Sequence, residues 1–142
     1  MQDIIIGDQF LPKVLPLIAS AKSSIKIIIF DWRVYVLKNA EPISQFNNAL
    51  LDANKRGVKI QAIVSSPIVA NQLKNLGLEA NTLKNQKLVH AKMMLIDDLT
   101  AVIGSHNYSA SAFSANLELS VIVTLPSADN ELVSFFKNLW PL

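Results

Sequence analysis

The chain has 142 residues, of which 51% are hydrophobic and 17% charged, and its formal net charge is +2. This length allows one domain with a single core, and the apolar content is typical of a sheet buried on both faces or of a surface covered by a partner. The absence of cysteine excludes disulfides, zinc–thiolate sites and a cysteine nucleophile. The net charge is too small to indicate nucleic-acid binding by itself.

Strands and helices alternate along the sequence. A continuous β-branched run over residues 25–30 predicts a central strand, and a 3.6-residue apolar period ended by Gly57 predicts a helix over residues 42–56. Ser127 is predicted to cap the last helix. Strands are predicted over residues 3–6, 25–30, 58–64, 79–83, 88–96, 101–104 and 117–124, and helices over residues 11–21, 42–56, 67–76 and 126–140. This order predicts one α/β domain over residues 1–142, with helices on both faces of a mixed sheet and a hairpin near Asp97 and Asp98.

No apolar run approaches the roughly 20 residues that cross a bilayer, so we expect no integral membrane segment. No positively charged start followed by an apolar stretch precedes the first predicted strand, so we expect no signal peptide. The composition is compatible with a soluble protein in the cytoplasm, and equally with an exported one from which a signal peptide was removed.

Two polar clusters near the middle of the chain carry the chemistry. If residues 88–96 form a strand, His90 and Lys92 point to the same face, where they need a shared anionic partner. A phosphate is such a partner, because Lys92 supplies charge and His90 can attack or transfer protons. The residues of Gly104–Asn107 end the following strand and can converge on the same phosphate. Asp97 falls at the end of the first strand, where it is expected to brace a turn.

The lysines are unevenly distributed in a way that suits an anionic substrate. Residues 51–92 carry seven basic residues against two acidic ones, whereas residues 93–142 carry one lysine against five acids. The basic half leads directly into His90 and Lys92.

The pattern H-x-K, four residues, D, six residues, G-S-x-N resembles the HKD signature of the phospholipase D superfamily. The resemblance continues in Asn116-Leu117-Glu118, which matches the N-x-E that commonly follows, and it covers most of the chain. It implies that His90 attacks phosphorus to give a phosphohistidine, and that Lys92 neutralises the phosphoryl oxygens. It further implies that Ser105 and Asn107 hold the phosphoryl group and that Glu118 accepts a hydrogen bond from His90. The resemblance implies no metal ion and no cofactor.

The implied reaction needs a second histidine as general acid and then general base. Only His106 is available within the chain, at a position that the family leaves variable, so we interpret it as a substrate contact or an incidental residue. The resemblance to the small single-motif nucleases of the superfamily implies instead a homodimer with both copies of His90 at the twofold axis. Arg33, in a segment that departs from the family pattern, is either a substrate contact or a surface residue.

Three functions are consistent with the sequence. The first is an endonuclease that hydrolyses DNA or RNA with little sequence preference, and the second is a phospholipid hydrolase or phosphatidyl transferase with the same phosphohistidine chemistry. The third is a catalytically silent module for nucleic-acid binding or dimerisation.

Overall fold

The computed structural model describes residues 2–36 and 41–140, which contain seven strands and five α-helices. In chain order these are β1 (Gln2–Ile6), α1 (Phe10–Ser20), β2 (Ser24–Ile29), α2 (Pro42–Lys55), β3 (Lys59–Val64), α3 (Pro67–Asn75), β4 (Glu79–Asn81), β5 (Met93–Ile96), β6 (Thr100–Gly104), α4 (Ala110–Ser114), β7 (Leu119–Thr124) and α5 (Glu131–Leu139). A short 3-10 helix, Gly7–Gln9, joins β1 to α1. None of the described helices has both the length and the apolar character needed to cross a membrane.

The strands form one sheet in the order β1-β7-β6-β5-β2-β3-β4. The pairs β2–β3 and β3–β4 are parallel, and the other four pairs are antiparallel. The predicted mixed sheet is therefore confirmed. Because β2 is central and covered on both faces, its run of isoleucines is buried throughout.

Helices cover both faces of the sheet, as expected. On one face, alternate residues of β2 such as Ile25, Ile27 and Ile29 pack under α1, α2, α3 and α4 in the larger apolar cluster. On the other face, Ile28 of β2 packs in a smaller cluster with Val133 and Phe136 of α5. Over strands β6, β7 and β1 the same face of the sheet is not covered by α5, and Ile103, Leu119 and Ile4 on it are exposed.

The hairpin predicted near Asp97 and Asp98 connects β5 to β6. The two aspartates have φ angles of 53° and 60°, and the Leu99 amide donates to the Ile96 carbonyl across them at 3.0 Å. Aspartate tolerates this left-handed conformation better than most residues, because its short polar side chain bonds locally.

The strand predicted over residues 88–96 is shorter than expected and begins only at Met93. The reason is a long-range contact, because the hydroxyl of Ser65 accepts from the Val89 amide at 2.8 Å and donates to the Val89 carbonyl at 3.0 Å. The backbone of Val89 is therefore not available to a sheet ladder, and the segment before β5 lies over the end of β3.

The last helix also begins later than expected, at Glu131 instead of residue 126, and Ser127 does not cap it. Asn130 is the cap: its side-chain oxygen accepts from the amides of Leu132 and Val133 at 3.1 Å each. Its amide group donates to the Asp98 carbonyl at 2.7 Å, which ties the start of α5 to the hairpin.

Candidate active site

His90 and Lys92 lie together in the segment that precedes β5. The ammonium nitrogen of Lys92 is 3.4 Å from His90 Nδ1 and 3.5 Å from Nε2, and it donates to the His90 carbonyl at 2.9 Å. His90 is exposed and Lys92 half-buried, so neither is in the buried strand that the sequence predicts. The predicted strand is therefore wrong here, although the two side chains do lie side by side as expected. Lys92 reaches His90 by folding back over its own backbone.

Phe30 forms the floor beneath these two side chains. Its ring centroid is 5.1 Å from that of His90, and the Lys92 ammonium lies 5.6 Å from it, within the range of a cation–π contact. Sequence reasoning did not identify Phe30 as a site residue. Its position immediately after the central strand β2 was the available signal, because ligand sites form where parallel strands end at the carboxyl edge.

The loop that follows β6 presents alternate residues to solvent and to the core. Ser105 is exposed and Asn107 partly exposed, whereas His106 and Tyr108 are each 2% exposed. Tyr108 packs among Phe10, Trp32, Phe46 and Phe113, and burial raises the pKa of its phenol far above the ordinary value. The buried pair therefore fixes the loop and directs Ser105 and Asn107 outward.

Of the two interpretations of His106, a substrate contact or an incidental residue, the structure contradicts the substrate contact. Its Nε2 lies 2.9 Å from the Gly7 carbonyl, which can only accept, so Nε2 carries the hydrogen. Its Nδ1 then accepts from the Ser120 hydroxyl at 2.7 Å, and its ring packs 4.8 Å from that of Phe10. Both nitrogens are used internally and the side chain is buried, so His106 ties the loop to the start of the chain.

Glu118 accepts no hydrogen bond from His90 among the described residues, contrary to expectation. Its Oε1 accepts from the Ser105 hydroxyl at 2.6 Å, and its Oε2 accepts from the Asn116 amide at 3.1 Å. The Ser105 hydroxyl also accepts from the Leu119 amide at 3.0 Å. The carboxylate therefore holds Ser105, while the His90 ring faces Lys92 and Phe30.

Asn107 connects the loop to the end of β2. Its side-chain oxygen accepts from the Asp31 amide at 3.2 Å, and the Asp31 carbonyl accepts from the Tyr108 amide at 3.0 Å. On the β5 side, the Gly104 amide approaches the Lys92 carbonyl at 3.4 Å. The two polar clusters are thus brought to one edge of the sheet, around the ends of β2 and β6.

Asp97 lies at the opposite end of β5 from His90. Its carboxylate accepts from the amides of Lys22, Ser23 and Ser24 and from the Ser23 hydroxyl, at 2.7 to 3.2 Å. Burial acts to raise the pKa of Asp97, but these hydrogen bonds outweigh it and lower the pKa below its ordinary value. The structure thus places Asp97 as a brace between the hairpin and the loop before β2.

Arg33 lies on the exposed side of the segment after β2. Its side chain is 57% exposed, and its Nε lies 3.4 Å from a carboxylate oxygen of Asp31. Among the residues that the structure describes, no cluster of three or more histidine, cysteine, aspartate or glutamate side chains is arranged to hold a metal ion.

Comparison with known proteins identifies the family of this chain. Residues 14–140 match the family model described as the phospholipase D-like domain of cardiolipin synthase. Cardiolipin synthase B of Salmonella typhimurium is 31% identical over 129 residues, which are 76% of this chain and 29% of that protein. Phospholipase D Z of Dictyostelium discoideum is 26% identical over 144 residues. The chain therefore spans about a third or less of the length of these curated relatives.

Solved structures show the same fold. Nuc of Salmonella typhimurium, a phospholipase D family member, superposes with a TM-score of 0.79 and 22% identity over 99% of this chain and 95% of Nuc. NucT of Helicobacter pylori superposes with a TM-score of 0.73 and 21% identity over 98% of this chain and 94% of NucT. With a family model covering nearly the whole chain, and a shared fold, the chain belongs to the phospholipase D superfamily.

Proposed function

We propose that this chain is a metal-independent endonuclease that hydrolyses phosphodiester bonds of DNA or RNA, with His90 as nucleophile. The observation that carries the proposal is the exposed His90 ring with the Lys92 ammonium 3.4 Å from it. A phosphate bound against both would receive positive charge from Lys92 and be in reach of the ring.

The proposed reaction has two steps. In the first, the lone pair of a neutral His90 ring nitrogen forms a bond to phosphorus, and the bond from phosphorus to the leaving oxygen breaks. A general acid supplies the proton that this oxygen takes up. In the second, the same group, now a base, removes a proton from water; the water oxygen bonds to phosphorus and the nitrogen–phosphorus bond breaks, which returns the electron pair to His90.

Ser105 and Asn107 after β6, Glu118 before β7 and Lys92 before β5 have proposed supporting roles. Glu118 holds the Ser105 hydroxyl, and we propose that this hydroxyl turns its single hydrogen from Glu118 to a phosphoryl oxygen when substrate binds. Asn107 accepts from the Asp31 amide through its side-chain oxygen, and we propose that its NH₂ group, a donor, binds the same phosphoryl oxygens. Lys92 balances the charge that develops on these oxygens.

The general acid is proposed to be His90 of a second copy of the chain. The buried His106 has no nitrogen to spare, and it is the only other histidine in the sequence. A twofold axis beside His90 would let each histidine serve as nucleophile in one half of the site and as acid in the other.

An open apolar sheet face supports this homodimer. We define it by Ile4, Ile6, Ile103, Leu119 and Val121. Ile103 pairs with Val121 and Val121 with Ile4, while Ile6 pairs with Leu119, so the five lie in adjoining rows across β6, β7 and β1. Their neighbours Ile5, Val102 and Ser120 are buried on the other side, so these residues face outward.

The apolar sheet face adjoins the site itself. Ile4, Ile6, Ile103 and Leu119 are 37% to 59% exposed, a contiguous apolar surface of the kind that marks an interface. Ile103 also lines a shallow hollow of about 380 Å³ together with His90, Lys92 and Phe135. Pairing of two such faces would therefore bring two copies of His90 toward one another.

A lysine surface favours nucleic acid as the substrate. We define it by Lys74, Lys84, Lys87 and Lys137, which line two adjoining hollows that share Leu83 and Lys84. No acidic side chain lines either hollow in the described part of the chain. Lys87 lies three residues before His90 in the chain, and an extended polyanion gains from a basic surface by releasing counterions.

A second candidate function is phospholipid hydrolysis or phosphatidyl transfer. The observation that favours it is the 31% identity to cardiolipin synthase B, which the chain matches over 29% of that protein's length. The same phosphohistidine chemistry would serve, with an alcohol in place of water in the case of transfer.

The test is a set of parallel cleavage assays in EDTA. Plasmid, single-stranded DNA, RNA and phospholipid vesicles are incubated with the wild type and with His90→Ala. We expect cleavage of nucleic acid by the wild type and none by His90→Ala, and we expect ³²P from a labelled oligonucleotide to stay on the wild-type protein after alkaline denaturation. Head-group release without nucleic-acid cleavage would favour the lipid function. Intact substrates in every assay would favour the catalytically silent module.

A further inference from the structure

A small groove lies beside the candidate active site, on the side away from the apolar sheet face. It encloses about 200 Å³, below the size of typical drug-sized pockets and on the scale of one flat ring. The segment that follows β2 forms one wall, with Arg33 and Tyr35, and the first turns of α3 form the other, with Ile68 and Gln72.

Both walls begin at residues that belong to the site. The first wall starts at Asp31, whose amide donates to Asn107 and whose neighbour Phe30 contacts His90. The second starts just after Ser65, whose hydroxyl holds both backbone groups of Val89, the residue before His90. Both walls of the groove are therefore anchored to backbone that also positions the site, and Arg33 lies about 7 Å along an extended chain from Asp31.

The first wall is held rigid although it has no regular secondary structure. The side-chain amide of Asn47, which is buried on α2, donates to the carbonyls of Arg33 at 2.9 Å and Tyr35 at 2.7 Å. Its oxygen accepts from the Trp32 indole at 2.8 Å, and the Arg33 amide donates to the Tyr108 carbonyl at 2.9 Å. Fixing the backbone in this way sets the positions from which Arg33 and Tyr35 extend before any ligand arrives, which lowers the cost of binding.

The outward side chains of the groove combine an aromatic ring, an aliphatic side chain and a cation. Tyr35 is 52% exposed and Ile68 is 71% exposed, so large apolar surfaces face solvent next to the site. The guanidinium of Arg33 pairs with Asp31 through Nε, and its side chain is 57% exposed. An aromatic platform with a guanidinium beside it is the combination by which proteins bind single-stranded nucleic acid.

We propose that this groove binds the nucleotide next to the scissile phosphate of a single-stranded nucleic acid. The base lies against Tyr35 and Ile68, and its phosphate pairs with Arg33. This inference rests on the proposed nuclease function and names a subsite for it. An acyl chain fits poorly, because the groove is short and carries Arg33, Asp31 and Gln72 on its walls.

The first experiment measures binding, so that it does not depend on cleavage. A fluorescent oligothymidylate is titrated into His90→Ala, and into His90→Ala combined with Tyr35→Ala, Tyr35→Phe or Arg33→Gln. We expect Tyr35→Ala to raise the Kd roughly tenfold and Tyr35→Phe to leave it nearly unchanged, because the ring that stacks is retained. Arg33→Gln is expected to raise the Kd and to lower its salt dependence by about one phosphate contact. Lys59→Gln, at the other end of β3, removes the same charge as a control and is expected to have little effect.

The second experiment measures cleavage. The kcat/KM for an oligonucleotide is divided by that for methyl 4-nitrophenyl phosphate, a diester without a base. We expect this ratio to fall roughly tenfold in Tyr35→Ala relative to the wild type and to recover in Tyr35→Phe. An unchanged Kd and an unchanged ratio in Tyr35→Ala would overturn the subsite. It would also be overturned if Tyr35→Ala lost binding to anionic vesicles and kept its binding to oligonucleotides. If the wild type cleaved neither of the two diesters, the nuclease function would be refuted instead. The binding experiment would then still show whether the groove binds a nucleotide.

Discussion

Substitution of Asp97 tests whether this residue of the motif serves the stability of the fold or the reaction. Its Oδ1 accepts from the amides of Lys22, Ser23 and Ser24 and from the Ser23 hydroxyl, while its Oδ2 accepts from the Lys22 amide at 3.0 Å. In Asp97→Asn the remaining side-chain oxygen can keep the hydrogen bonds that Oδ1 accepts. The NH₂ group that replaces Oδ2 cannot accept from the Lys22 amide, because both groups are donors. The variant also keeps the tolerance for the φ of 53° that alanine would lose.

The expected loss of stability follows from these hydrogen bonds. A hydrogen bond to a charged group contributes about 1.5–3 kcal/mol, and partial exposure of Asp97 reduces this because water can replace the lost partner. We therefore expect Asp97→Asn to lower the free energy of unfolding by about 2 kcal/mol, which for a domain of this size is about 6–8 °C in Tm. Asp129→Asn, an exposed change, is the control and is expected to stay within about 0.5 kcal/mol.

The effect also has a predicted pH dependence. Because the folded-state pKa of Asp97 is lowered, its contribution is fully present above the unfolded pKa, about 3.9, and is lost as the pH falls through the folded pKa. Urea unfolding of wild type and Asp97→Asn is measured from pH 7 down to pH 3. The difference between them is expected to be constant above about pH 5 and to shrink below it. An equal stability of the two proteins at pH 7, or a folded Asp97→Asn with no phosphodiesterase activity, would refute the assignment of Asp97 as a brace.

Further predictions concern the loop, the interface and the lysine surface. Gly104→Ala is expected to lower stability by about 3 kcal/mol or more in urea unfolding, because a Cβ there overlaps the backbone of Leu119 and Ser120; a change below 1 kcal/mol would contradict this. Leu119→Glu is expected to sediment as a folded monomer and to lose diesterase activity, and a fully active monomer would exclude the shared site. Lys84→Gln with Lys87→Gln is expected to weaken oligonucleotide binding and to lower the salt slope by about two contacts, whereas removal of charge at Lys59 is not.

The sequence determined the family and led to the polar residues that we propose for the site. The pattern from His90 to Glu118 keeps the residue types and gaps of the superfamily signature, so the resemblance was sufficient without any knowledge of the fold. The order of strands and helices was also accessible, because a buried strand such as β2 and an amphipathic helix such as α2 carry their own local periodicity.

Only the tertiary structure decided how these residues are used. The departure from strand geometry at His90 results from a hydrogen bond between Ser65 and Val89, 24 residues apart. The structural role of His106 depends on Gly7, 99 residues away. Such contacts leave no trace in local periodicity, because a polar side chain in a loop reads the same whether it faces a substrate or a distant carbonyl. For the same reason, the sequence does not reveal the contact of Phe30 with His90 or the groove at Tyr35. Both depend on the ends of β2 and β3 lying side by side in the sheet.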